Sequence, residues 1–191
     1  MNLYLNIKDF KPLVTQGSET GIEKEIGQYN KPLSILNNNN IRFLYAKQNT
    51  IMDGKFTKLL YSDDYVIMNG FYFVFPILCD TSSHNNNSNF RYIQSNKQTN
   101  IELIEDFAQL ESKILTHYKN YNNCDKNKEL SLHKQLLSKQ IRVYKENANK
   151  PLDGLRPDIK SSSIYTIKIS GVWESFDKIG ITYKIIEIRG T

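Results

Sequence analysis

Hydrophobic and polar positions alternate most sharply near the C-terminal end. There Ser163-Ile-Tyr-Thr-Ile-Lys-Ile-Ser-Gly-Val-Trp173 and Ile179-Gly-Ile-Thr-Tyr-Lys-Ile-Ile-Glu-Ile-Arg189 flank the polar turn Glu174-Ser-Phe-Asp-Lys178. Two β-branched runs around a short turn predict a hairpin. A register that sets Trp173 opposite Ile179 also sets Gly171 opposite Ile181, Ile169 opposite Tyr183 and Ile167 opposite Ile185, giving one apolar face for the core. Its other face then sets Ser170 against Thr182, Thr166 against Ile186 and Lys168 against Lys184. Two lysines directly opposite each other cost a few tenths of a kcal/mol unless an anion lies between them.

Upstream, Leu3, Leu5 and Ile7 alternate with polar neighbours and predict a first strand, whereas the glycine-bearing run 14–22 and Asn37–Asn40 read as loops. Ile41-Arg-Phe-Leu-Tyr-Ala46 predicts a second strand. Lys55–Tyr61 follows as a third, with a turn at Ser62-Asp-Asp64. Tyr65-Val-Ile-Met68 and Phe71-Tyr-Phe-Val-Phe75 flank Asn69-Gly70, a pair suited to a type I′ turn, so these runs predict a second hairpin. Phe71, Phe73 and Phe75 share one face and Tyr72 and Val74 the other, the pattern of a core face backed by packing or by a binding surface. Pro76 ends the strand. Asp80–Asn89 reads as a loop and Phe90-Arg-Tyr-Ile93 as a short strand.

The period then changes from two to 3.6. Leu103, Phe107, Leu110, Ile114 and Tyr118 form one stripe of an amphipathic helix, with Thr99 or Asn100 as N-cap. A shorter basic helix is expected over Leu130–Ile141, and the prolines and glycine of 147–157 mark a loop. These elements predict one α+β domain over residues 1–191: a peripheral segment 1–40, a β-meander 41–94, a helical segment 99–141 and the hairpin 163–189. The expected architecture is a mainly antiparallel, barrel-like sheet of the oligonucleotide-binding (OB) type, with the long helix and the short basic helix packed on it.

Charge changes this picture more than composition does. The net charge is +5, and the segment from His117 to Lys150 holds eight basic residues against three acidic ones. A charge run is most often a solvated face. Placed beside Lys168 and Lys184, it would instead supply the groove that phosphates follow.

Chemical motifs are sparse. No P-loop, G-x-G-x-x-G, G-x-S-x-G or H-E-x-x-H sequence occurs, and His84, His117 and His133 are scattered. Cys79 and Cys124 are too far apart in sequence for a paired metal motif and too few for a disulfide framework, which fits a reducing compartment. The Met1–Lys8 stretch has no basic-then-apolar signal, and no run reaches the ~18 apolar residues of a membrane span. An intracellular protein with no membrane partner, catalytic residue, metal or cofactor is therefore expected. The remaining enzymatic alternative is a metal-dependent nuclease, since Pro157-Asp158 and Glu187-Ile-Arg189 loosely follow the two-carboxylate spacing of such enzymes, with Arg189 where a lysine is needed.

Phe56-Thr-Lys-Leu-Leu-Tyr-Ser62, Met68-Asn-Gly-Phe71, Ile141-Arg-Val-Tyr144, Ile167-Lys-Ile-Ser-Gly-Val-Trp-Glu174 and Gly180-Ile-Thr-Tyr-Lys184 together resemble small proteins of nucleocytoplasmic large DNA viruses. Some small proteins of these viruses are OB-fold single-stranded DNA-binding proteins. The Asn, Lys, Ile, Tyr and Phe usage, that of A/T-rich codons, suits such a genome. OB-type replication proteins of viruses and phages often end in an acidic tail; Glu187-Ile-Arg-Gly-Thr191 lacks one, so recruitment of partners through such a tail is not expected. The resemblance implies sequence-tolerant binding of single-stranded nucleic acid, with a role in viral replication or repair in the host cytoplasm or viral factory.

The residues themselves suggest how such binding would work. Lys168 and Lys184 would contact phosphates, Arg142, Lys145 and Lys139 would extend the track, and Tyr72 or Tyr165 would stack bases. The second reading is a virion or assembly protein, homo-oligomeric or bound to other viral proteins, whose two-faced aromatic strands form a protein–protein interface.

Overall fold

The computed structural model describes residues 40–49, 53–62, 64–65, 67–77, 79–80, 90–95, 98, 100–138, 140–145 and 164–188, together with Ile7. In chain order its elements are β1 (Ile41–Phe43), β2 (Lys47–Gln48), β3 (Lys55–Ser62), β4 (Ile67–Asn69), β5 (Phe71–Phe75), β6 (Cys79–Asp80), β7 (Phe90–Ser95), α1 (Ile101–Asn122), β8 (Asn127–Glu129), α2 (Ser131–Leu136), β9 (Gln140–Lys145), β10 (Ile164–Glu174) and β11 (Lys178–Ile188). The strands form one mostly antiparallel sheet in the order β1-β3-β10-β11-β9-β7-β6. Among the described residues its two ends do not pair with each other, so the sheet is not closed and the expected barrel is not shown. β11 runs parallel to both β9 and β8. Of the expected first strand only Ile7 is described, and it is buried outside any strand.

The hairpin β10–β11 is the longest pairing. Its register from Ile164 to Ile169 is the expected one, with Lys168 opposite Lys184 and Ile169 opposite Tyr183. Beyond Ile169 a β-bulge at Ser170 shifts every pair by one residue: Gly171 faces Thr182, Val172 faces Ile181 and Trp173 faces Gly180. Because side chains alternate with period two, this slip exchanges the faces. Val172 enters the core at 0 % exposure, and Trp173 leaves it for the opposite face, half-buried. The expected pairs Trp173–Ile179, Gly171–Ile181 and Ser170–Thr182 are therefore replaced, and Trp173 is not part of the core face.

The bulge lies where β10 changes partners. Along its other edge β10 pairs with β5 from Tyr165 to Ile169 and with β3 from Gly171 to Glu174. Asn69-Gly70 is accordingly not a hairpin turn. β4 pairs with β3, β5 pairs with β10, and the chain passes between them at Gly70, which has φ +85°. Asn69 does not have the positive φ that a type I′ turn requires. The hairpin here is β3–β4, with Ser62 opposite Ile67.

Both helices cover the same face of the sheet. The expected stripe of α1 is buried from Phe107 to Tyr118, joined by Ile104 and Leu115. Phe107 meets Phe73 and Phe75 edge-on at 5.8 and 5.5 Å, and Tyr118 meets Phe43 edge-on at 5.2 Å. Such pairs add about 0.5–1.5 kcal/mol each beyond the burial of their area. The second helix stops well before Ile141. Gln140–Lys145 is a strand instead, because Ile141 and Val143 alternate into the core at 0 % exposure. Glu111, fully buried on α1, accepts the backbone N–H groups of Leu132 (3.0 Å) and His133 (2.9 Å), fixing the start of α2 against α1. Burial pushes the Glu111 carboxyl above its ordinary value, against the lowering effect of those N–H groups.

Candidate functional site

The face of the sheet away from α1 and α2 has no helix packed on it among the described residues. Alternation decides what it carries. On β5, Phe71, Phe73 and Phe75 are fully buried, so Tyr72 and Val74 point outward, and Val74 is 37 % exposed. By the same rule β10 presents Thr166, Lys168 and, past the bulge, Gly171 and Trp173. β11 presents Gly180, Thr182, Lys184 and Ile186; β9 presents Arg142 and Tyr144; β7 presents Phe90 and Tyr92.

Across five strands these positions make a row of alternating rings and cations. The Lys168 Nζ sits 4.9 Å from the Tyr72 ring centre and the Lys184 Nζ 5.3 Å from that of Tyr144. The Arg142 guanidinium lies 3.9 Å over Phe90 and 5.0 Å from Tyr144. Phe90 in turn packs edge-on to Tyr92 at 5.8 Å. The two facing lysines thus lean apart, each toward the ring on its far side. Cation–π attraction of about 0.5–1 kcal/mol at such exposed sites offsets their mutual repulsion, so the opposition by itself requires no anion.

Among the described residues, no carboxylate pairs with the charge on this face. None of the ion pairs among the described residues involves Lys168, Lys184 or Arg142. The carboxylates of β10 and β11, Glu174 and Glu187, lie on the helix-covered face. Two polar atoms of the outer face are buried without a hydrogen-bond partner, the Arg142 Nε and the Thr166 Oγ1.

The other expected site residues are elsewhere. Tyr165 is buried on the helix-covered face, where its hydroxyl accepts a hydrogen bond from Arg91 (2.9 Å), so it is not available to stack a base. Arg91 also pairs with Glu187 at 2.7 Å. Lys145 shares the face of Ile141 and Val143 and stands opposite Glu187, not beside Lys168. Lys139 lies outside the described residues, as do Asp158 and Arg189 of the nuclease alternative. The basic segment does not adjoin the lysine pair as a unit. Lys119 pairs with Asp125 (3.2 Å), Lys126 with Glu174 (2.7 Å) and Lys134 with Glu129 (3.3 Å), while Lys128 donates to the Thr116 hydroxyl. Arg142 alone of the described members joins the outer row. The sequence reading does not single out Tyr144 and Phe90, although their signal is available: they alternate with the apolar residues of β9 and β7.

A second polar cluster ties the hairpin to the helix. The Tyr118 hydroxyl donates to Glu174 (2.9 Å), lies 3.1 Å from the Thr57 hydroxyl, and Lys126 donates to the other Glu174 oxygen. Burial pushes Tyr118 up to about 12. Burial alone would raise Glu174, but the hydrogen bonds from Lys126 and Tyr118 outweigh it and hold the carboxyl below its ordinary value. Every member is occupied by another, as in a structural clamp. No group of three metal-ligating side chains occurs among the described residues, and no described helix is long and apolar enough to cross a membrane. Comparison with protein-family models, curated proteins and solved structures found no match.

Proposed function

We propose that the protein binds single-stranded nucleic acid across the outer face of the sheet, tolerant of sequence and without chemistry on the strand. The observation that carries this reading is the row Tyr72, Lys168, Lys184, Tyr144, Arg142 and Phe90, in which each cation lies against a ring and no carboxylate of the described residues pairs with it. Rings and unpaired cations side by side on a sheet face that no described helix covers suit bases and phosphates of a flexible strand. Arginine held flat against rings presents its N–H edge to phosphate in a fixed orientation. An open sheet face serves this purpose without an OB-type closed barrel. The sequence resemblance sets this activity among the genome-handling proteins of large DNA viruses, inside the host cell.

Anisotropy of a labelled oligothymidylate at low salt tests the reading. The wild-type protein should bind, and Lys168→Ala with Lys184→Ala should weaken binding at least about tenfold, as loss of two phosphate contacts would. The melting temperature should stay unchanged or rise, because the opposed charges are gone. Absence of binding by the wild type overturns the proposal, as does a fall in melting temperature with affinity unaltered. Val74, Leu60 and Ile186 add apolar surface to the same face and favour the second reading, a protein–protein interface. Concentration-dependent self-association in sedimentation, with no nucleic-acid binding, would be its signature.

A further inference from the structure

Trp173 and Phe56 are direct neighbours across β10 and β3, at one end of the outer face. Each ring lies over a glycine. A Cβ built on Gly180 would fall among the indole atoms of Trp173, 2.6 Å from Cε2 and 2.8 Å from Nε1. One built on Gly171 would meet Cζ and Cε2 of Phe56 at 2.7 and 2.8 Å. Where the facing residue has no side chain, a ring can lie down on the backbone, and its other π-face then turns outward. The rings of the cation row differ, since Tyr72, Tyr144 and Phe90 already hold Lys168, Lys184 and Arg142 against them. Two exposed lysines flank the flat pair: Lys58, opposite Gly171, and Lys47, opposite Phe56.

We infer that Phe56 and Trp173 are the base-stacking platform of the bound strand, while Lys168, Lys184 and Arg142 hold its phosphates; this assignment rests on the nucleic-acid reading above. Gly180 and Lys184 are four residues apart on β11, about 14 Å at the rise of a strand. At the ~3.4 Å per nucleotide of a stacked strand, that distance spans about four nucleotides. Oligonucleotides shorter than this reach the platform or the cation row, but not both.

Aromatic cover over a glycine also stabilises a sheet, so the test must read the ring's outer face and not only folding. Trp173 is the single tryptophan of the chain, and its emission reports on that face alone. Titration with oligothymidylates of two to ten nucleotides, followed by emission and by anisotropy, should show quenching in step with binding and a steep gain in affinity near four to five nucleotides. Trp173→Leu should weaken binding about 5- to 150-fold, the loss of one stacked base. Trp173→Phe, which keeps a flat ring, should recover most of it, and Tyr121→Leu on the helical side should change nothing. Binding without quenching, with Trp173→Leu within twofold of wild type, overturns the platform and leaves the proposed function standing. Equal loss in the Leu and Phe variants also overturns it, since a base stacked on the ring should be largely recovered by any flat ring. Failure of the wild type to bind any oligonucleotide would instead remove the underlying reading.

Discussion

Gly70 shows how much a single position without a side chain can decide. Its φ of +85° is unfavourable for other residues, and a Cβ there would run into the carbonyl oxygen of Ile169 beside the bulge. Backbone on both sides fixes the space, so neither partner can give way as a flexible side chain could. Gly70→Ala should therefore cost on the order of 1–3 kcal/mol or more in urea denaturation. Two glutamates, the buried Glu111 and the half-buried Glu174, make opposite predictions for pH. The folded-state carboxyl of Glu111 is raised above its ordinary 4.5, so its contribution to stability is full below that value and lost as pH rises through the raised one. Glu174 is lowered, so its contribution is present above 4.5 and lost as pH falls through the lowered value. Denaturation across pH should show wild type losing ground to Glu111→Gln as pH rises, and losing ground to Glu174→Gln as pH falls.

Among the elements, β10 holds the clearest contrast between neighbours. Val172 and Trp173 are adjacent and both apolar, yet the bulge at Ser170 buries the first and turns the second outward. Val172→Asp should cost more than about 3 kcal/mol, the burial of an unpaired charge in the core. Trp173→Asp should cost under half as much, with urea midpoints deciding between them. Were the unbulged register correct, the order would reverse. The helical elements were easier to foresee. The stripe from Phe107 to Tyr118 repeats over about three turns, and no competing period fits it. The expected second helix runs past the observed Ser131–Leu136 because Leu136, Leu137 and Ile141 satisfy helical spacing as well as Ile141 and Val143 satisfy a strand. Only the pairing of β9 with β7 and β11 resolves that ambiguity.

At the scale of the whole molecule, the two faces of the sheet divide the chemistry. The helix-covered face takes the phenylalanines, Glu174 and Glu187, whereas the outer face takes Lys168, Lys184 and Arg142 with their rings. A strand held by these three cations should lose affinity with a slope of about −2 in log Kd-derived affinity against log salt. A slope near zero would show that the face does not contact phosphates, and anisotropy at four or five salt concentrations suffices to measure it. Much of this surface was legible in advance. Lys168, Lys184, Tyr72 and Arg142 were picked out, three by strand alternation and Arg142 by its place in a basic segment. Tyr165 is two residues from Ile167, so alternation along the strand already puts it on the core face and not among the stacking residues. The basic segment was overvalued because net charge does not reveal that Lys119, Lys126 and Lys134 have carboxylates within 3.3 Å.

The sequence by itself determined the α+β class, the long amphipathic helix, the C-terminal hairpin and the facing of Lys168 and Lys184. Each of these is set by a local period or by a turn between adjacent runs. The tertiary structure decided the open sheet, the change of partner at Gly70, the bulge that frees Trp173, and the gathering of β5, β10, β11, β9 and β7 into one cation–aromatic row. Those features depend on which distant strands share hydrogen bonds, and no period within a strand carries that information. A one-residue slip at Ser170 was enough to move the only tryptophan from the expected core to the outer face, because side chains alternate with every residue along a strand.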